Sequence, residues 1–436
     1  MDQSEFRRFF NASNPARPLD IGKIDDCKYY IDFSSVRGGE ILKELKRTIV
    51  FSDEKTCQIF TGHRGSGKST ELLRLKTELE EQGFYVVYFD SDQDLDLTDV
   101  DISDILLVTA RRISESLETI NISLKPSYFS RLFNDLSDFF NTPLELEKVQ
   151  LSVGISKITT KAKESPRLRS QLREILEPQT NTILDAINQD IIIKACEKLR
   201  QKGKQGLVVI IDNLEKIAPR RLTSGQDNLE YLFIERGAQL RGLACHKVYT
   251  VPLHLIFSDQ REIMIDQFGG GIPPRILPMV PVKSRNNSEN QEGLTLLKQM
   301  VMARAFPNEQ RTQQLVIEKI QEVFDRPETL SRLCLISGGR IRNLLSLLLR
   351  CLQMQDPPIP RSLLERAIRD RREQYRYSIN EEIWSLLRWT AEHKQLNRQQ
   401  SEYQVLFRNS LIFEYQDEEG SWFDVNPILM ESPEME

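Results

Sequence analysis

The most specific chemistry in the sequence lies in a glycine-rich run with the spacing G-x-x-x-x-G-K-S, namely Gly62-His63-Arg64-Gly65-Ser66-Gly67-Lys68-Ser69-Thr70. Its glycines let the backbone turn its N–H groups onto phosphate oxygens. Lys68 can reach the β- and γ-phosphates, and the Ser69 hydroxyl is a ligand for Mg²⁺. The run therefore predicts that residues 62–70 bind the phosphates of a nucleotide.

The segments on either side of this loop fit the motif. An apolar strand is predicted over 57–61, and an amphipathic helix from Ser69 to about Glu81. A helix that begins at the loop directs its positive N-terminus at the phosphates. The order strand, loop, helix is the one that a phosphate-binding loop requires.

A second element of such a site follows about 140 residues later in the chain, where five aliphatic residues at 207–211 end in Asp212. Such a run is typical of a strand that is buried on both faces. A carboxylate at its end can hold Mg²⁺ through water, which makes Asp212 a predicted metal ligand together with Ser69. Glu215 is the predicted general base for the attacking water. Alternatively, Asp212 caps the following turn and Glu215 is a solvated helix residue.

The rest of the chain predicts the domain organisation. Strands are expected at 57–61, 84–89, 207–211, 253–258 and 275–279 with helices between them, which indicates an α/β fold with a five-stranded parallel sheet covered on both faces. We expect a lead-in at 1–50, a P-loop NTPase core at 51–282 with an insertion at about 120–200, a helical lid at 283–360 and a winged-helix-like domain at 361–436. The insertion, with a short strand or hairpin near 149–158 and helices over 166–202, either meets a partner or elaborates the scaffold.

Together with Gly338-Gly339-Arg340-Ile341-Arg342, the two motifs resemble the AAA+ and STAND branch of P-loop ATPases. Within that branch the chain is similar to the group of origin-recognition initiators, archaeal-type ATPases and bacterial STAND switches. The resemblance implies ATP as the nucleotide and a lid arginine, Arg340 or Arg342, that contacts the γ-phosphate. It also implies that Ser258, at the tip of the fourth strand, senses that phosphate.

Further residues follow from the same resemblance. Residues of the lead-in would line the base pocket, namely Tyr30, Ile31 and Val36. An arginine supplied in trans to a neighbouring subunit would come from near the fourth strand, where Arg236, Arg241 and Arg261 are the candidates. The chain departs from the family at Asn213, where an acidic residue usually follows Asp212. Hydrolysis therefore depends on Glu215 or is slow.

Charge is distributed unevenly along the chain. The segment 90–104 is acidic without a basic residue, and we expect a solvated loop in which Ser103 or Asp104 caps a helix over about 105–117. Arginines crowd 361–376, as in nucleic-acid-binding proteins, but acidic residues interleave with them. The predicted wing is itself acidic at 417–419. A solvated or protein-facing helix is the favoured interpretation.

Composition excludes several classes of protein. The 436 residues carry a net charge of -5 and contain no long apolar run or signal peptide, so we expect a cytosolic globular chain without membrane contact. Six scattered cysteines and four histidines form no metal-binding spacing.

Three functions remain open. The favoured one is an ATP-binding and hydrolysing molecular switch of the AAA+/STAND type whose nucleotide state controls oligomerisation. It would form a homo-oligomer and act on a separate effector or regulator protein. The alternatives are a DNA-binding ATPase of the initiator or transposition-regulator type, and a nucleotide-binding scaffold with little turnover.

Overall fold

The structure, a computed structural model, describes residues 1–37, 41–124, 128–129, 152–156, 160, 165–222, 224–309, 313–397 and 402–436. The chain divides into two compact units. The first comprises Met1–Leu42, Gly62–Arg74 and Ile276–Glu436, and the second comprises Lys43–Thr61 and Leu75–Arg275. This division does not test the domain boundaries predicted from the sequence, which stay predictions.

A five-stranded sheet forms the α/β core, in the order β2-β3-β4-β1-β5. Its strands are β1 (Cys57–Gly62), β2 (Tyr85–Asp90), β3 (Leu207–Asp212), β4 (His246–Thr250) and β5 (Arg275–Leu277). The neighbouring pairs β2·β3, β3·β4 and β1·β4 are parallel. Every residue of β1 and β3 is buried, as expected for strands covered on both faces. The predicted P-loop NTPase fold is confirmed.

The fourth strand lies earlier in the chain than predicted. Residues 253–258 were expected to form it because they are apolar, but Leu253–Ile256 is a short helix preceded by Pro252. The fourth strand is His246–Thr250. Its polar residues interrupt the apolar pattern by which a buried strand is predicted. Lys247 is buried there because its Nζ donates to the carbonyls of Leu243 (2.7 Å) and Cys245 (3.1 Å).

Helices surround the sheet in the second unit. They are Ser91–Asp94, Ile102–Thr119, Pro166–Leu176, Thr180–Ala186, Lys194–Gln201, Asn228–Glu230, Gly237–Arg241, Leu253–Ile256 and Arg261–Gln267, with π-helical turns at Ile187–Ile193 and Tyr231–Glu235. The helices predicted over 166–202 are confirmed. Of the hairpin predicted at 149–158, residues 152–156 are helical instead, and the remainder lies outside the described residues.

The acidic segment is not the solvated loop that was expected. Asp101, and not Ser103 or Asp104, caps the helix Ile102–Thr119, and the Asp104 carboxylate completes a capping box. Arginines of the same unit bind the other carboxylates: Arg112 and Arg111 contact Asp94, Arg169 contacts Asp96 (2.7 Å), and Arg173 contacts Asp99 (3.0 Å) and Asp101 (3.1 Å). The segment's charge is thus largely neutralised within the chain.

The first unit is mainly helical. Its helices are Gln3–Ala12, Ile24–Cys27, Gln291–Ala305, Gln313–Lys319, Pro327–Ser337, Ile341–Met354, Arg361–Arg376, Glu381–His393, Tyr403–Arg408 and Pro427–Met430, while Ile41–Val50 and Lys68–Glu81 span the division. Near its end, β6 (Ile412–Asp417) and β7 (Gly420–Val425) form an antiparallel hairpin, which we call the wing. The predicted lid helices and winged-helix-like ending are confirmed. None of the helices described has the length and hydropathy needed to cross a membrane.

The turn between Pro327–Ser337 and Ile341–Met354 requires two glycines. Gly338 and Gly339 have φ of 61° and 70°, a conformation that side chains rarely adopt. A Cβ on Gly339 would lie 1.6 Å from the carbonyl oxygen of Val280. Only glycine lets the chain pass this point and begin the helix that carries Arg342.

We expect Gly339→Ala to destabilise the first unit more than Gly420→Ala. Both residues have positive φ, but a Cβ on Gly420 meets nothing within 4 Å. Gly420→Ala is the control, and backbone strain should lower its free energy of unfolding by about 1–2 kcal/mol. Gly339→Ala should lose about 1–3 kcal/mol more because its Cβ overpacks the site. Urea unfolding followed by tryptophan fluorescence measures both, and equal losses would contradict the steric account.

Candidate nucleotide site

The phosphate-binding loop has the backbone that an anion cradle needs. Gly65 and Gly67 have φ of 85° and 107°, and a Cβ on Gly67 would meet no atom within 4 Å, so the concave side of the loop is open. The Ser66 hydroxyl is buried and has no hydrogen-bond partner in the described part of the chain. An open cradle with an unsatisfied polar atom fits phosphate oxygens.

Lys68 stabilises the first turn of the loop. Its side chain is 4% exposed, and Nζ donates to the carbonyls of Gly62 (2.9 Å) and His63 (3.1 Å). The ammonium is thus held at the start of the helix Lys68–Glu81. The ammonium therefore lies within the loop, whose backbone N–H groups would bind the phosphates.

The lid meets the next two carbonyls of the loop. Arg340 is the residue before the helix Ile341–Met354, and its Nε donates to the carbonyl of Arg64 (2.8 Å). The backbone N–H of Arg342 donates to the carbonyl of Gly65 (3.1 Å). A Cβ on Gly65 would lie 2.5 Å from Cβ of Arg342, so glycine permits this approach. Both predicted lid arginines therefore contact the loop.

Arg340 is a buried cation. It is 6% exposed, and its Nη1 donates to the side chains of Asn343 (3.0 Å) and Tyr375 (3.4 Å). Burial lowers the pKa of Arg340 to about 10, so the guanidinium is charged at pH 7. A buried cation beside a phosphate-binding loop is stabilised when an anion arrives.

The lead-in supplies the donor for the last carbonyl of the turn. Arg37 is 3% exposed, and its Nη2 donates to the carbonyl of Ser66 (2.8 Å). Nothing in the sequence pattern singles out Arg37, because its partner is a backbone atom 29 residues away. All five carbonyls from Gly62 to Ser66 thus accept a hydrogen bond from Lys68, the lid or the lead-in.

The predicted base-pocket residues also lie in this lead-in. The Tyr30 hydroxyl accepts from Arg74 (2.7 Å) and contacts the Glu71 carboxylate (3.2 Å), both on the helix that follows the loop. Ile31 and Val36 are buried. These contacts hold the lead-in against the loop's helix, and contact with a base stays a prediction.

His63 connects the loop to the wing. Its Nε2 accepts from the backbone N–H of Glu414 (2.8 Å), and its ring lies 5.5 Å from Phe407 and 5.9 Å from Phe413. Since Nε2 accepts, the imidazole is neutral, and burial lowers its pKa well below the usual value. The side chain of His63 therefore faces the wing, so only its backbone is a candidate for phosphate contact.

In the second unit, β3 ends in the predicted metal ligand. Asp212 is fully buried; its Oδ2 accepts from the Tyr88 hydroxyl (2.8 Å) and its Oδ1 from the N–H of Asn213 (2.7 Å). Asn213 has φ of 66°, which turns the chain sharply after the strand. This geometry explains asparagine in place of the usual acidic residue, because asparagine tolerates the left-handed conformation. The 3₁₀ turn that follows begins after Asn213 and has no side-chain cap, so the structure does not show the predicted alternative in which Asp212 caps it.

A short 3₁₀ turn, Leu214–Lys216, carries Glu215, which is 7% exposed. Thr250, the last residue of β4, accepts through Oγ1 from the N–H of Leu214 (3.0 Å) and holds this turn. Glu215 is thus buried, in contrast to the alternative of a solvated helix residue. Its part as general base stays a prediction.

Ser258 is not at a strand tip. It follows the helix Leu253–Ile256, and its hydroxyl donates to the carbonyl of Leu255 (2.8 Å). The prediction was wrong because the strand itself was misplaced. Thr250 is the polar residue at the tip of β4. The sequence did not indicate Thr250, because this short strand contains a buried lysine and has no continuous apolar run.

Three of the six arginines in the arginine-rich helix, Arg361, Arg372 and Arg376, bind carboxylates within the first unit. Arg361 donates to Glu365 (2.7 Å), Arg376 to Glu373 (2.9 Å), and Arg372 to the carbonyl of Ile428 (3.0 Å). Arg366 and Arg369 are exposed. The pairing supports the interpretation of a solvated or protein-facing helix.

The candidates for an arginine in trans also have partners within the second unit. Arg236 donates to Glu177 (2.9 Å), Arg241 to the carbonyl of Asp266 (2.5 Å), and Arg261 to Glu262 (2.6 Å). These contacts do not select one of the three.

Among the comparisons with known proteins, only the search of solved structures found similar chains. No protein-family model matches the chain, and no curated protein matches it. Similar solved structures include the Walker-type ATPase PABY2304 of Pyrococcus abyssi, with 13% identity, 96% of this chain and 98% of that chain covered, and a TM-score of 0.45. The ORC2 protein of Aeropyrum pernix in ADPNP-ADP complexes has 10% identity, 96% and 93% coverage, and a TM-score of 0.39.

The ORC1 protein of Aeropyrum pernix in complex with DNA is also similar, with 12% identity, 90% and 92% coverage, and a TM-score of 0.36. At such identities and TM-scores, the likeness assigns no role to any residue of this chain.

The contact between His63 and the wing leads to a pH prediction. The Glu414 carboxyl is buried, accepts from Ser421 (2.7 Å) through Oε1, and has no partner for Oε2 within the described residues. Burial raises its pKa to about 8. The folded state therefore keeps a proton that the unfolded state releases above about pH 4.5. Hence the stability that Glu414 contributes is present below pH 4.5 and is lost as the pH rises to 8.

Between pH 6.5 and 8, we expect the free energy of unfolding to fall by up to about 1.4 kcal/mol per pH unit. His63 contributes the opposite slope near pH 6.5, where the unfolded imidazole is half protonated and the folded one is neutral, and almost none towards pH 8. Glu414→Gln should flatten the profile, while Glu418→Gln, on the exposed turn of the wing, should keep it. Chemical unfolding at several pH values, followed by tryptophan fluorescence, measures the slope. A Glu414→Gln profile parallel to wild type would contradict the assignment.

Proposed function

We propose that the chain is an ATP-binding and hydrolysing switch of the AAA+/STAND type, whose nucleotide state controls oligomerisation and the engagement of a separate effector or regulator protein. The observation that carries the proposal is the contact between the lid and the phosphate-binding loop. Arg340 and Arg342 both bond to carbonyls of that loop, on residues next to each other. A ligand that alters the loop therefore alters contacts of the lid.

The residues of the loop are suited to ATP with Mg²⁺. The backbone N–H groups of residues 62–70 and the ammonium of Lys68 would bind the phosphates. Ser69 and Asp212 offer the oxygen ligands that Mg²⁺ prefers. When bound, the metal ion neutralises charge that develops on the phosphate oxygens.

The remaining roles concern the reaction. Glu215 would orient and deprotonate the attacking water, and Arg340 would stabilise negative charge on the transferred phosphoryl group. Two observations favour slow turnover. Asn213 occupies the usual acidic position, and Glu215 is only 7% exposed. A nucleotide-binding scaffold with little turnover is therefore the second candidate function.

A turnover measurement separates the switch from the scaffold. We expect wild type to hydrolyse ATP, Lys68→Ala to be inactive, and Glu215→Gln to lose about 100-fold or more in kcat. Glu197→Gln, an exposed carboxylate on the helix Lys194–Gln201, serves as the control and should keep wild-type turnover. Wild-type turnover no faster than that of Lys68→Ala would favour the scaffold.

Sedimentation tests the switch directly. The wild-type particle mass should differ between ATPγS and ADP, and Arg340→Ala should abolish the difference because the lid loses its side-chain contact with the loop. Arg350→Ala is the control, because it removes an exposed arginine from the helix that follows Arg340. The contact of Arg350 with Asp370 is long, at 3.9 Å, so this variant should behave as wild type. Equal wild-type mass in both nucleotides would count against the switch.

Duplex DNA tests the initiator-type alternative. Because three of the six arginines in 361–376 bind carboxylates of the chain, we expect the rate of ATP hydrolysis to be unchanged by DNA. A several-fold increase that falls with salt and is lost in Arg366→Ala/Arg369→Ala would instead favour DNA binding. Those two arginines are exposed, so their removal leaves the internal ion pairs intact.

A further inference from the structure

Tyr88 lies where the proposed function would place a metal. It is on β2, whose register pairs Tyr88 with Ile210 and Asp90 with Asp212. Residues two apart on a strand share a face, and paired residues of neighbouring strands share it as well. Tyr88 therefore lies on the same face of the sheet as Asp212, two residues further from the end of the strands. Its long side chain reaches the Asp212 carboxylate.

The hydroxyl of Tyr88 acts as a donor. It lies 2.8 Å from Oδ2 of Asp212, which is fully buried. A carboxylate oxygen can only accept a hydrogen bond, so the Tyr88 hydroxyl donates to it.

Donors from Asn213 and Tyr88 bind the two oxygens of the Asp212 carboxylate. The N–H of Asn213 binds Oδ1 and belongs to the adjoining peptide, so it sets the position of one oxygen only. The Tyr88 hydroxyl binds the other oxygen from a neighbouring strand and determines the rotation of the group. Partners that orient a metal ligand in this way commonly change metal affinity by about 10–100-fold when they are removed.

We infer that Tyr88 is a positioning residue for the divalent metal ion of the ATP site: it holds the Asp212 carboxylate in the orientation in which it receives the metal's water ligands. The inference rests on the proposed function. It assigns to the tyrosine no contact with nucleotide and no transfer of a proton. Its effect is on metal affinity, through Asp212.

Tyr88→Phe removes the hydroxyl and keeps the ring. Tyr85→Phe is a matched control on the same strand, because the Tyr85 hydroxyl bonds to the carbonyl (2.7 Å) and hydroxyl (2.8 Å) of Ser116 and not to Asp212. Each variant thus loses one hydrogen-bonded hydroxyl. Any difference between the two in metal binding reports on the contact with Asp212.

The experiment is a titration of the ADP-loaded protein with Mn²⁺, in which electron paramagnetic resonance measures free Mn²⁺. We expect Tyr88→Phe to raise the Kd for Mn²⁺ about 10-fold or more, and Tyr85→Phe to leave it within about twofold of wild type. In an Asp212→Asn background, the further change Tyr88→Phe should have no effect, since the tyrosine acts through that carboxylate. Circular dichroism checks that each variant is folded.

The outcomes separate the two claims. Wild-type Mn²⁺ binding that requires Lys68, with an unchanged Kd in Tyr88→Phe, would overturn the role of Tyr88 alone. Equal increases in Tyr88→Phe and Tyr85→Phe would also overturn it, because a general loosening of β2 explains them. Absence of Lys68-dependent Mn²⁺ binding in wild type would overturn the proposed function and the role of Tyr88 with it.

Discussion

The backbone of the phosphate-binding loop imposes the central constraint on this protein. If the N–H groups of residues 62–70 face a phosphate, their carbonyls face outwards and need donors of their own. In this chain the donors come from Lys68, from the lid at Arg340 and Arg342, and from Arg37 of the lead-in. Segments that are far apart in sequence are therefore joined at one turn.

This arrangement has a consequence for signalling. The inner side of the turn would bind a nucleotide, while its outer side binds the lid, so one short stretch of backbone serves both. His63 adds the wing to the same stretch through its bond to the N–H of Glu414. A shift of the loop by a fraction of an ångström would alter several hydrogen bonds at once, which makes these contacts a suitable two-state element.

Much of this follows from the sequence where the signal is local. The loop spacing, the aliphatic run of β3 ending in Asp212, and the glycine-arginine motif before the helix Ile341–Met354 each depend on neighbouring residues. The sequence fails where hydrogen-bond partners hold a side chain in a position that its residue type does not indicate. Strand β4 is hidden because Lys247 is buried against carbonyls of the preceding loop, and the apolar run at 253–257 drew the prediction away from it.

The same reason explains the residues missed in the site. Arg37, Tyr88 and Thr250 act on backbone or side-chain atoms far from them in sequence, and His63 meets a strand 351 residues away. No periodicity or spacing reports such pairs. What the loop residues require can be predicted from their types, whereas the donors that satisfy them become visible only in the fold.

Hydrogen exchange at the lid tests the central claim most directly. The N–H of Arg342 donates to the carbonyl of Gly65, so its exchange rate reports on the contact between lid and loop. Mass spectrometry of peptides that contain Arg342 should show slower exchange with ATPγS than with ADP, and no difference between nucleotides in Lys68→Ala. Equal exchange of the wild-type peptides in the two nucleotides would contradict the claim that the lid responds to the loop.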